Sequence, residues 1–254
     1  MKMYFIRHGA TAGNRERRYV GRTDEGILEE EKERLRQKSH DFPVMDRVFV
    51  SPYLRCRQTA ELVFGKNRTE IMEDFREMDF GEFEYKNYQE LSGNPEYQKF
   101  IDSGGAIGFP GGEEPERFKC RCREAFRKCV RRAWENGWEH VGLAVHGGTI
   151  MAVLEAFACP PKGYYEYQAG NGCGFICRCK YQENECSGNE KNGCGGYEKN
   201  EYGGHEENEC GSAEAFLPGR SDRTGNNFGT DSAGESCGIR ELETIKLIIE
   251  EEIT

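Results

Sequence analysis

The chain has 254 residues and a formal net charge of −10 at pH 7, with 31% charged and 36% hydrophobic residues. This length is enough for one large α/β domain or two small domains, and it excludes peptide hormones and disulfide-framed miniproteins. The acidic balance is unlike the basic surface of a general nucleic-acid-binding protein, so we expect no nucleic-acid partner.

The N-terminal residues have the pattern of neither a membrane span nor a secretion signal. No apolar stretch approaches the ~20 residues that a span needs, and the short run 1–6 leads directly into Arg7. We therefore expect a cytoplasmic protein with no membrane partner. In that compartment the twelve cysteines are predicted to be reduced thiols, and the two Cys-x-Cys pairs at 120–122 and 177–179 are predicted to pack in the core.

Two short apolar runs each end at a histidine followed by glycine. Residues 2–6 predict a buried strand that leads into Arg7-His8-Gly9, and residues 140–145 predict a second strand that leads into His146-Gly147-Gly148 and a buried helix over 149–157. We expect both strands to belong to a parallel sheet. Open α/β sheets bind ligands in the crevice beyond the carboxyl ends of their strands, so the site is predicted there.

The other elements follow from hydrophobic periodicity and from capping residues. Ser51 and Pro52 are typical of an N-cap and the first helical position, and they predict a helix that runs to about Phe64. The remaining predictions are helices over 27–38 and 113–134 and strands over 47–50, 70–72, 174–181 and 239–249, the last two paired with each other.

A long polar segment separates the last two predicted strands. Residues 182–238 contain twelve Gly, ten Glu and seven Asn, and twelve acidic residues stand against four basic ones. The segment has no Val, Ile or Met, so it cannot bury enough apolar area to offset chain entropy. It accounts for the low mean hydropathy of −0.82, and we predict a flexible low-complexity insertion.

Three separated segments carry residues that a globular core does not require. They are Arg7-His8-Gly9, the helix start that includes Arg55, and His146-Gly147-Gly148. If they converge, two arginines and two histidines form a cationic pocket whose natural ligand is a phosphate group. Neighbouring positive charge disfavours the protonated imidazole, which leaves a ring nitrogen lone pair free to act as a nucleophile.

These residues resemble the signature motifs of the histidine phosphatase superfamily, in the branch of phosphoglycerate mutases and α-ribazole phosphatase-like enzymes. The similarity covers about residues 2–181, and five segments occur in the family's order. The matching segments are Arg7-His8-Gly9-Ala10-Thr11-Ala12-Gly13-Asn14, Ser51-Pro52-Tyr53-Leu54-Arg55-Cys56-Arg57-Gln58-Thr59-Ala60, Arg76-Glu77-Met78-Asp79-Phe80-Gly81-Glu82-Phe83-Glu84, Pro110-Gly111-Gly112-Glu113 and Val145-His146-Gly147-Gly148.

The resemblance implies a role for each matching residue. His8 is the nucleophile that becomes phosphohistidine, and Glu77 is the proton donor, with Asp79 ranked second for that role. The phosphoryl group is held by Arg7, Asn14, Arg55, His146 and Gly147. No metal and no cofactor is implied.

For the whole chain, the resemblance implies a three-layer α/β/α sandwich around a mostly parallel central sheet. We divide the chain into a phosphatase domain over 1–181, the insertion over 182–238, and a C-terminal strand over 239–254 that returns to the domain.

The predicted activity is phosphomonoester hydrolysis of a small phosphorylated metabolite. A mutase of this branch needs extra basic residues in an insertion after the acid motif, which here is the segment 76–84 that contains Glu77. Residues 84–110 contain only Lys86 and Lys99 as bases. The stretch 18–24 is similar to α-ribazole phosphatase-like members, which act on α-ribazole 5′-phosphate or a cobalamin phosphate.

Three alternatives remain open at this stage. The first is mutase-type phosphoryl transfer, and the second is a pseudoenzyme that only binds phosphoesters, against which the intact catalytic set argues. The third is a metal- or partner-binding module in the insertion. Its candidate ligands are Cys186, Cys194, His205, Cys210 and Cys237, whose spacing lacks the usual zinc-ligand pattern.

Overall fold

A six-stranded sheet organises the protein, for which we obtained a computed structural model that describes residues 1–183 and 243–254. The strands are β1 (Lys2–Arg7), β2 (Arg47–Val50), β3 (Thr69–Ile71), β4 (His140–Val145), β5 (Gly174–Glu183) and β6 (Glu243–Ile253). Their order across the sheet is β3-β2-β4-β1-β5-β6. The neighbours β3, β2, β4 and β1 are parallel, whereas β5 is antiparallel to both β1 and β6.

Helices cover both faces of the sheet, which confirms the predicted α/β sandwich. The helices are α1 (Ala12–Arg15), α2 (Glu29–Lys38), α3 (Leu54–Phe64), α4 (Pro95–Asp102), α5 (Pro115–Glu135) and α6 (Gly147–Phe157). One core packs α5 and α6 against one face, and a second packs α2 and α3 against the other. The apolar residues that recur at helical spacing along α5 are all buried: Phe118, Cys122, Ala125, Phe126, Cys129 and Val130.

The start of α3 differs from the prediction. The helix begins at Leu54 after an extended Tyr53, so Ser51 is not its N-cap. Ser51 still follows the sheet, since its amide donates to Ala144 O at 3.1 Å. The predicted helix over 27–38 likewise begins only at Glu29, because Ile27 forms an isolated antiparallel bridge with Thr11.

Strand ends also differ from the predicted bounds by a few residues. β3 begins and ends one residue earlier than predicted, and β5 continues to Glu183 rather than Tyr181. β6 pairs with β5 and extends to Ile253. The predicted insertion over 182–238, with its candidate metal ligands, lies outside the described residues except at its first two positions.

A separate aromatic cluster follows the sheet core in the segment between β3 and α5. Its buried members are Phe83, Leu91, Tyr97 and Phe109. The ring of Phe83 packs edge-on against Tyr97 and Phe109 at centroid distances of 5.6 and 5.8 Å. The cluster packs α4 against the segment that follows Glu77, since Met78 and Phe80 also contact it.

The eight cysteines in the described ranges are free thiols. Cys122, Cys177 and Cys179 are buried in the core, and burial raises the pKa of each thiol to about 12. No helix within residues 1–183 and 243–254 is both long and apolar enough to cross a membrane.

Candidate active site

The pairing of β1 with β4 brings the two predicted histidines together. Arg7 is the register partner of Val145, so His8 and His146 leave the sheet side by side at its carboxyl edge. The His8 amide donates to Val145 O at 3.0 Å. The two rings are buried and lie 5.2 Å apart between centroids.

The His8 ring is held in one tautomer. A backbone carbonyl can only accept, so Nδ1 carries the ring proton that it donates to Gly9 O at 2.8 Å. Burial lowers the pKa of His8 well below its ordinary value, and the charges of Arg55 and Arg7 lower it further. At neutral pH the ring is therefore uncharged, with the lone pair on Nε2.

Ser51 and Cys56 fix the ring of His146. The Ser51 hydroxyl lies 2.7 Å from His146 Nε2, and the Cys56 sulfur lies 3.5 Å from the same nitrogen. Burial also lowers the pKa of His146 well below its ordinary value, assisted by Arg55 and His8. A hydroxyl that donates to Nε2 of a neutral ring leaves the ring proton on Nδ1.

Replacing Ser51 by alanine is expected to lower kcat/KM while the fold persists. The change leaves a buried ring nitrogen without its hydroxyl partner, at a cost of about 1–3 kcal/mol, or roughly a 10- to 100-fold loss. Steady-state kinetics measures the loss. The control is Ser39→Ala, which removes a hydroxyl that donates to Arg36 O on the surface; equal rates for the two variants would contradict a role for Ser51.

Arg55 is the largest fully buried side chain in the described residues. Its Nη1 donates to Thr23 O at 2.7 Å, and its Nη2 donates to Gly21 O at 2.8 Å and to Val20 O at 3.3 Å. The guanidinium therefore ties the loop 20–23 to α3. Arg7, one residue from the nucleophile candidate, donates from Nη1 to Ala169 O at 2.8 Å.

Both arginines retain an unused donor. The Nε atoms of Arg7 and Arg55 are buried and have no hydrogen-bond partner in the described part of the chain. A buried N–H without an acceptor is costly, particularly on a charged group. An anion held between the two guanidiniums would satisfy both donors.

Glu77 lies beside the start of α6. Its Oε1 accepts from the Met78 amide at 2.9 Å, and its Oε2 accepts from the Gly148 amide at 3.4 Å. Burial raises the pKa of Glu77 despite these bonds and despite the charges of Arg55 and Arg7. A Cβ on Gly148 would lie 2.6 Å from Oε1, so glycine permits this approach.

Asp79, ranked second for the proton donor, has a different environment. Its carboxylate lies 3.3 Å from Nη1 of the exposed Arg22 and accepts from the Gly81 amide at 2.9 Å. Asp79 thus acts as an ion-pair and turn residue, whereas the carboxyl of Glu77 lies near both arginines.

Asn14 and Gly147 lie at the same edge. Asn14 is the third residue of α1, and the side chains of Thr11 and Asn14 form a reciprocal capping box. Gly147 begins α6, and a Cβ there would lie 3.4 Å from Arg7 Nε. The predicted site residues therefore gather at the carboxyl edge of β1 and β4.

Sequence reasoning missed two polar neighbours of these groups. The sequence predicts that Ser51 caps a helix, whereas its hydroxyl contacts His146. No motif in the sequence points to Asn171, although its side chain bonds to His8 O and to Asn14. An Asn-Gly pair before a predicted strand signals a turn, and nothing in that signal indicates which side chains the turn approaches.

No group of three or more histidine, cysteine or acidic side chains arranged to hold a metal ion occurs among residues 1–183 and 243–254.

The sheet order and the position of these residues place the chain among α/β proteins whose sites lie beyond the carboxyl ends of parallel strands. Comparison with known proteins narrows this class. Residues 3–191 match the sequence profile of the histidine phosphatase superfamily, branch 1. The chain belongs to this family, as its motifs predicted.

Named relatives include phosphatases and mutase-like proteins. The chain is 27% identical over 165 residues to a broad-specificity phosphatase of Saccharomyces cerevisiae, over 61% of this chain and 69% of that protein. It is 27% identical over 159 residues to phosphoglycerate mutase-like protein 4 of Arabidopsis thaliana, over 59% and 68% of the two chains. The α-ribazole phosphatase of Shigella flexneri has a similar fold, with a TM-score of 0.61 and 20% identity over 70% of this chain and 90% of that one.

Proposed function

We propose that the protein is a phosphomonoesterase that works through a phosphohistidine on His8. The observation that carries the proposal is the state of the His8 ring. Its Nδ1 is held by Gly9 O, its Nε2 is unprotonated, and the positive charges of Arg55 and Arg7 act electrostatically on it. A nucleophile of this kind favours a phosphoryl group, whose oxygens the two cations would hold.

The proposed reaction has two steps. His8 Nε2 attacks phosphorus while the phosphorus–oxygen bond of the ester breaks, and Glu77 donates its proton to the departing alkoxide. Water then attacks the phosphorus while its bond to His8 Nε2 breaks and the electron pair returns to that nitrogen. Glu77 accepts the water proton, and orthophosphate leaves with His8 neutral again. Arg7, Arg55 and His146 would stabilise the charge on the three equatorial oxygens in both steps.

Hydrolysis is favoured over mutase transfer by the segment that follows the acid motif. Of its two bases, Lys99 is paired with Glu96 at 2.8 Å, and Lys86 is exposed. The interior of the segment is the aromatic cluster around Phe83 and Tyr97. This arrangement supplies no second set of buried cations in the segment for a bound phosphoester, and it supports water as the acceptor.

The proposed substrates are small phosphorylated metabolites, and α-ribazole 5′-phosphate is the first candidate. Two observations support this candidate: the stretch 18–24 is similar to α-ribazole phosphatase-like sequences, and the fold is similar to that of the Shigella flexneri enzyme. Cobalamin phosphate belongs to the same substrate class, because both carry the phosphate on a large alcohol.

A side-by-side assay tests the proposed function. The protein is incubated, without added metal, with p-nitrophenyl phosphate, α-ribazole 5′-phosphate and 3-phosphoglycerate, and released phosphate is measured. We expect release from the first two and little conversion of 3- to 2-phosphoglycerate. Phosphoglycerate interconversion faster than phosphate release would establish the mutase alternative, and no release from any ester would refute hydrolysis.

The role of Glu77 predicts a dependence on the leaving group. Glu77→Gln should lower kcat/KM for glycerol phosphate by about 100- to 10,000-fold, because a poor leaving group needs the proton. The loss for p-nitrophenyl phosphate should be far smaller, since nitrophenolate leaves without one. Asp79→Asn is the matched control, and the same selectivity in that variant instead would assign the proton donor to Asp79.

The shifted pKa values of His8 and Glu77 predict the pH profile of kcat/KM. His8 attacks only when neutral, and because its pKa is lowered, activity should persist on the acid side of the ordinary histidine range. Glu77 donates only when protonated, and because its pKa is raised, activity should fall as pH rises through that raised value. For glycerol phosphate, whose leaving group needs the proton, Glu77→Gln should remove the alkaline decline from the activity that remains; an unchanged alkaline limb would exclude Glu77 as its source.

A further inference from the structure

We propose that Asn171 is a positioning residue, which turns the amide of Asn14 so that Asn14 Nδ2 donates to the transferred phosphoryl group. The inference rests on the proposed function, and it concerns a residue outside the signature motifs. Asn171 lies in the loop that precedes β5.

The orientation of the Asn171 amide follows from its partners. Its side-chain nitrogen lies 3.1 Å from His8 O, a backbone carbonyl that can only accept. The atom that faces His8 O must therefore be Nδ2. The same nitrogen lies 3.0 Å from Asn14 Oδ1 and has a second hydrogen to donate there. One NH₂ group thus joins the nucleophile's carbonyl to the side chain of Asn14.

This bond determines which end of Asn14 faces a ligand. Asn14 Oδ1 accepts from the Thr11 amide at 3.3 Å and from Asn171 Nδ2. The Thr11 amide and Asn171 Nδ2 can only donate, so the atom of Asn14 that faces them must be Oδ1. Asn14 Nδ2 has no acceptor among the described residues and remains available to an anion. Without Asn171, one of the two interactions that define this orientation is lost.

The loop that carries Asn171 is itself anchored to the site and to α2. The Gly172 amide donates to Arg7 O and His8 O at 3.0 and 3.1 Å. Arg34 Nη2 donates to Asn171 O at 2.7 Å, and Lys38 Nζ donates to Gly172 O at 2.9 Å. Gly172 has a φ of +67°, and a Cβ there would lie 2.4 Å from Arg34 Nη2. Glycine adopts this left-handed conformation without strain, whereas another residue would be strained there and would displace the Arg34 guanidinium.

The test replaces Asn171 by aspartate, which has the same size but only acceptors. The side-chain amide of Asn14 would then rotate, because its Nδ2 can donate a hydrogen bond to the new carboxylate at position 171. That rotation would turn Nδ2 away from the phosphoryl group. We expect kcat/KM for p-nitrophenyl phosphate to fall about 10- to 100-fold, as for one lost hydrogen bond to a charged group. Inhibition by orthophosphate should weaken as well. Asn171→Ala, which removes both donors without adding charge, should show the same direction of change if the aspartate variant fails to fold.

A double-mutant cycle separates positioning from a general structural effect. If Asn171 acts through Asn14, then adding Asn171→Asp to Asn14→Ala should change kcat/KM little further. Asn136→Asp is the matched control, because the Asn136 side chain also donates to a backbone carbonyl, that of Arg132, at the end of α5. Its activity should equal that of the unmodified protein.

Each outcome is decisive. Unchanged kinetics and phosphate inhibition in both Asn171 variants would overturn the inference, and so would additive losses in the cycle. Failure of the proposed function can be distinguished from failure of this inference, because the unmodified protein would then release no phosphate from any ester. Calorimetric titration of orthophosphate into the unmodified protein, Asn14→Ala and Asn171→Ala would still test the contact, and equal affinity in all three would reject it.

Discussion

Replacing His8 by alanine is expected to abolish turnover of every phosphomonoester, with a loss of about 10⁴-fold or more. Alanine has no nucleophile, and water cannot attack a bound phosphomonoester with the advantage of a positioned ring nitrogen. Arg7 and Arg55 are unchanged in this variant, so orthophosphate should still bind. Phosphate release measures the first effect, and calorimetry measures the second.

The phosphohistidine itself provides the sharper readout. Rapid quenching of the unmodified protein during turnover should reveal an acid-labile phosphoryl adduct at His8, and the His8→Ala variant should have none. His40→Ala is the matched control, since His40 is exposed in the short helical turn after α2. Residual activity of the His8 variant comparable to that of the control would refute the proposed nucleophile.

Replacing Arg55 by leucine is expected to impair both activity and stability. If Arg55 stabilises the phosphoryl oxygens as proposed, the loss of its charge should lower kcat/KM about 1,000-fold. Three loop carbonyls also lose their buried donor, whereas relief of repulsion with Arg7 offsets part of the loss. We expect the free energy of unfolding to fall by about 2–4 kcal/mol. This loss corresponds to a decrease in Tm of roughly 4–16 °C.

Arg57 provides the comparison for this variant. It lies two residues further along α3 and is exposed, so Arg57→Leu tests the same chemical change outside the site. Its Tm and kcat/KM should remain close to those of the unmodified protein. If thermal unfolding and kinetics of the two leucine variants coincide, Arg55 neither anchors the loop 20–23 nor stabilises the reaction.

The sequence could predict the site where backbone position alone determines function. His8 and His146 each follow a short apolar run that is typical of a buried strand, and parallel pairing of the two strands brings their rings together. The core face of α5 was predictable for a similar reason, because its apolar residues recur at helical spacing. Periodicity and strand ends are local signals, and a single sequence contains them.

Contacts between distant segments could not be predicted in this way. Ser51 has the residue type of a helix cap, but its backbone still bonds to Ala144, and this displaces the helix start to Leu54. Asn171 reaches Asn14 only because β5 returns antiparallel beside β1. Such contacts depend on the register of the assembled sheet, which no local pattern specifies.

The strand β5 runs from the edge of the sheet near His8 to the far end of its pairing with β6. Gly174, the first residue of β5, is opposite Ile6 near the catalytic edge, whereas Glu183 at the other end is opposite Glu243. Ten extended residues span about 30 Å. The pairing of Glu183 with Glu243 is therefore remote from the edge of the sheet where His8 and His146 lie.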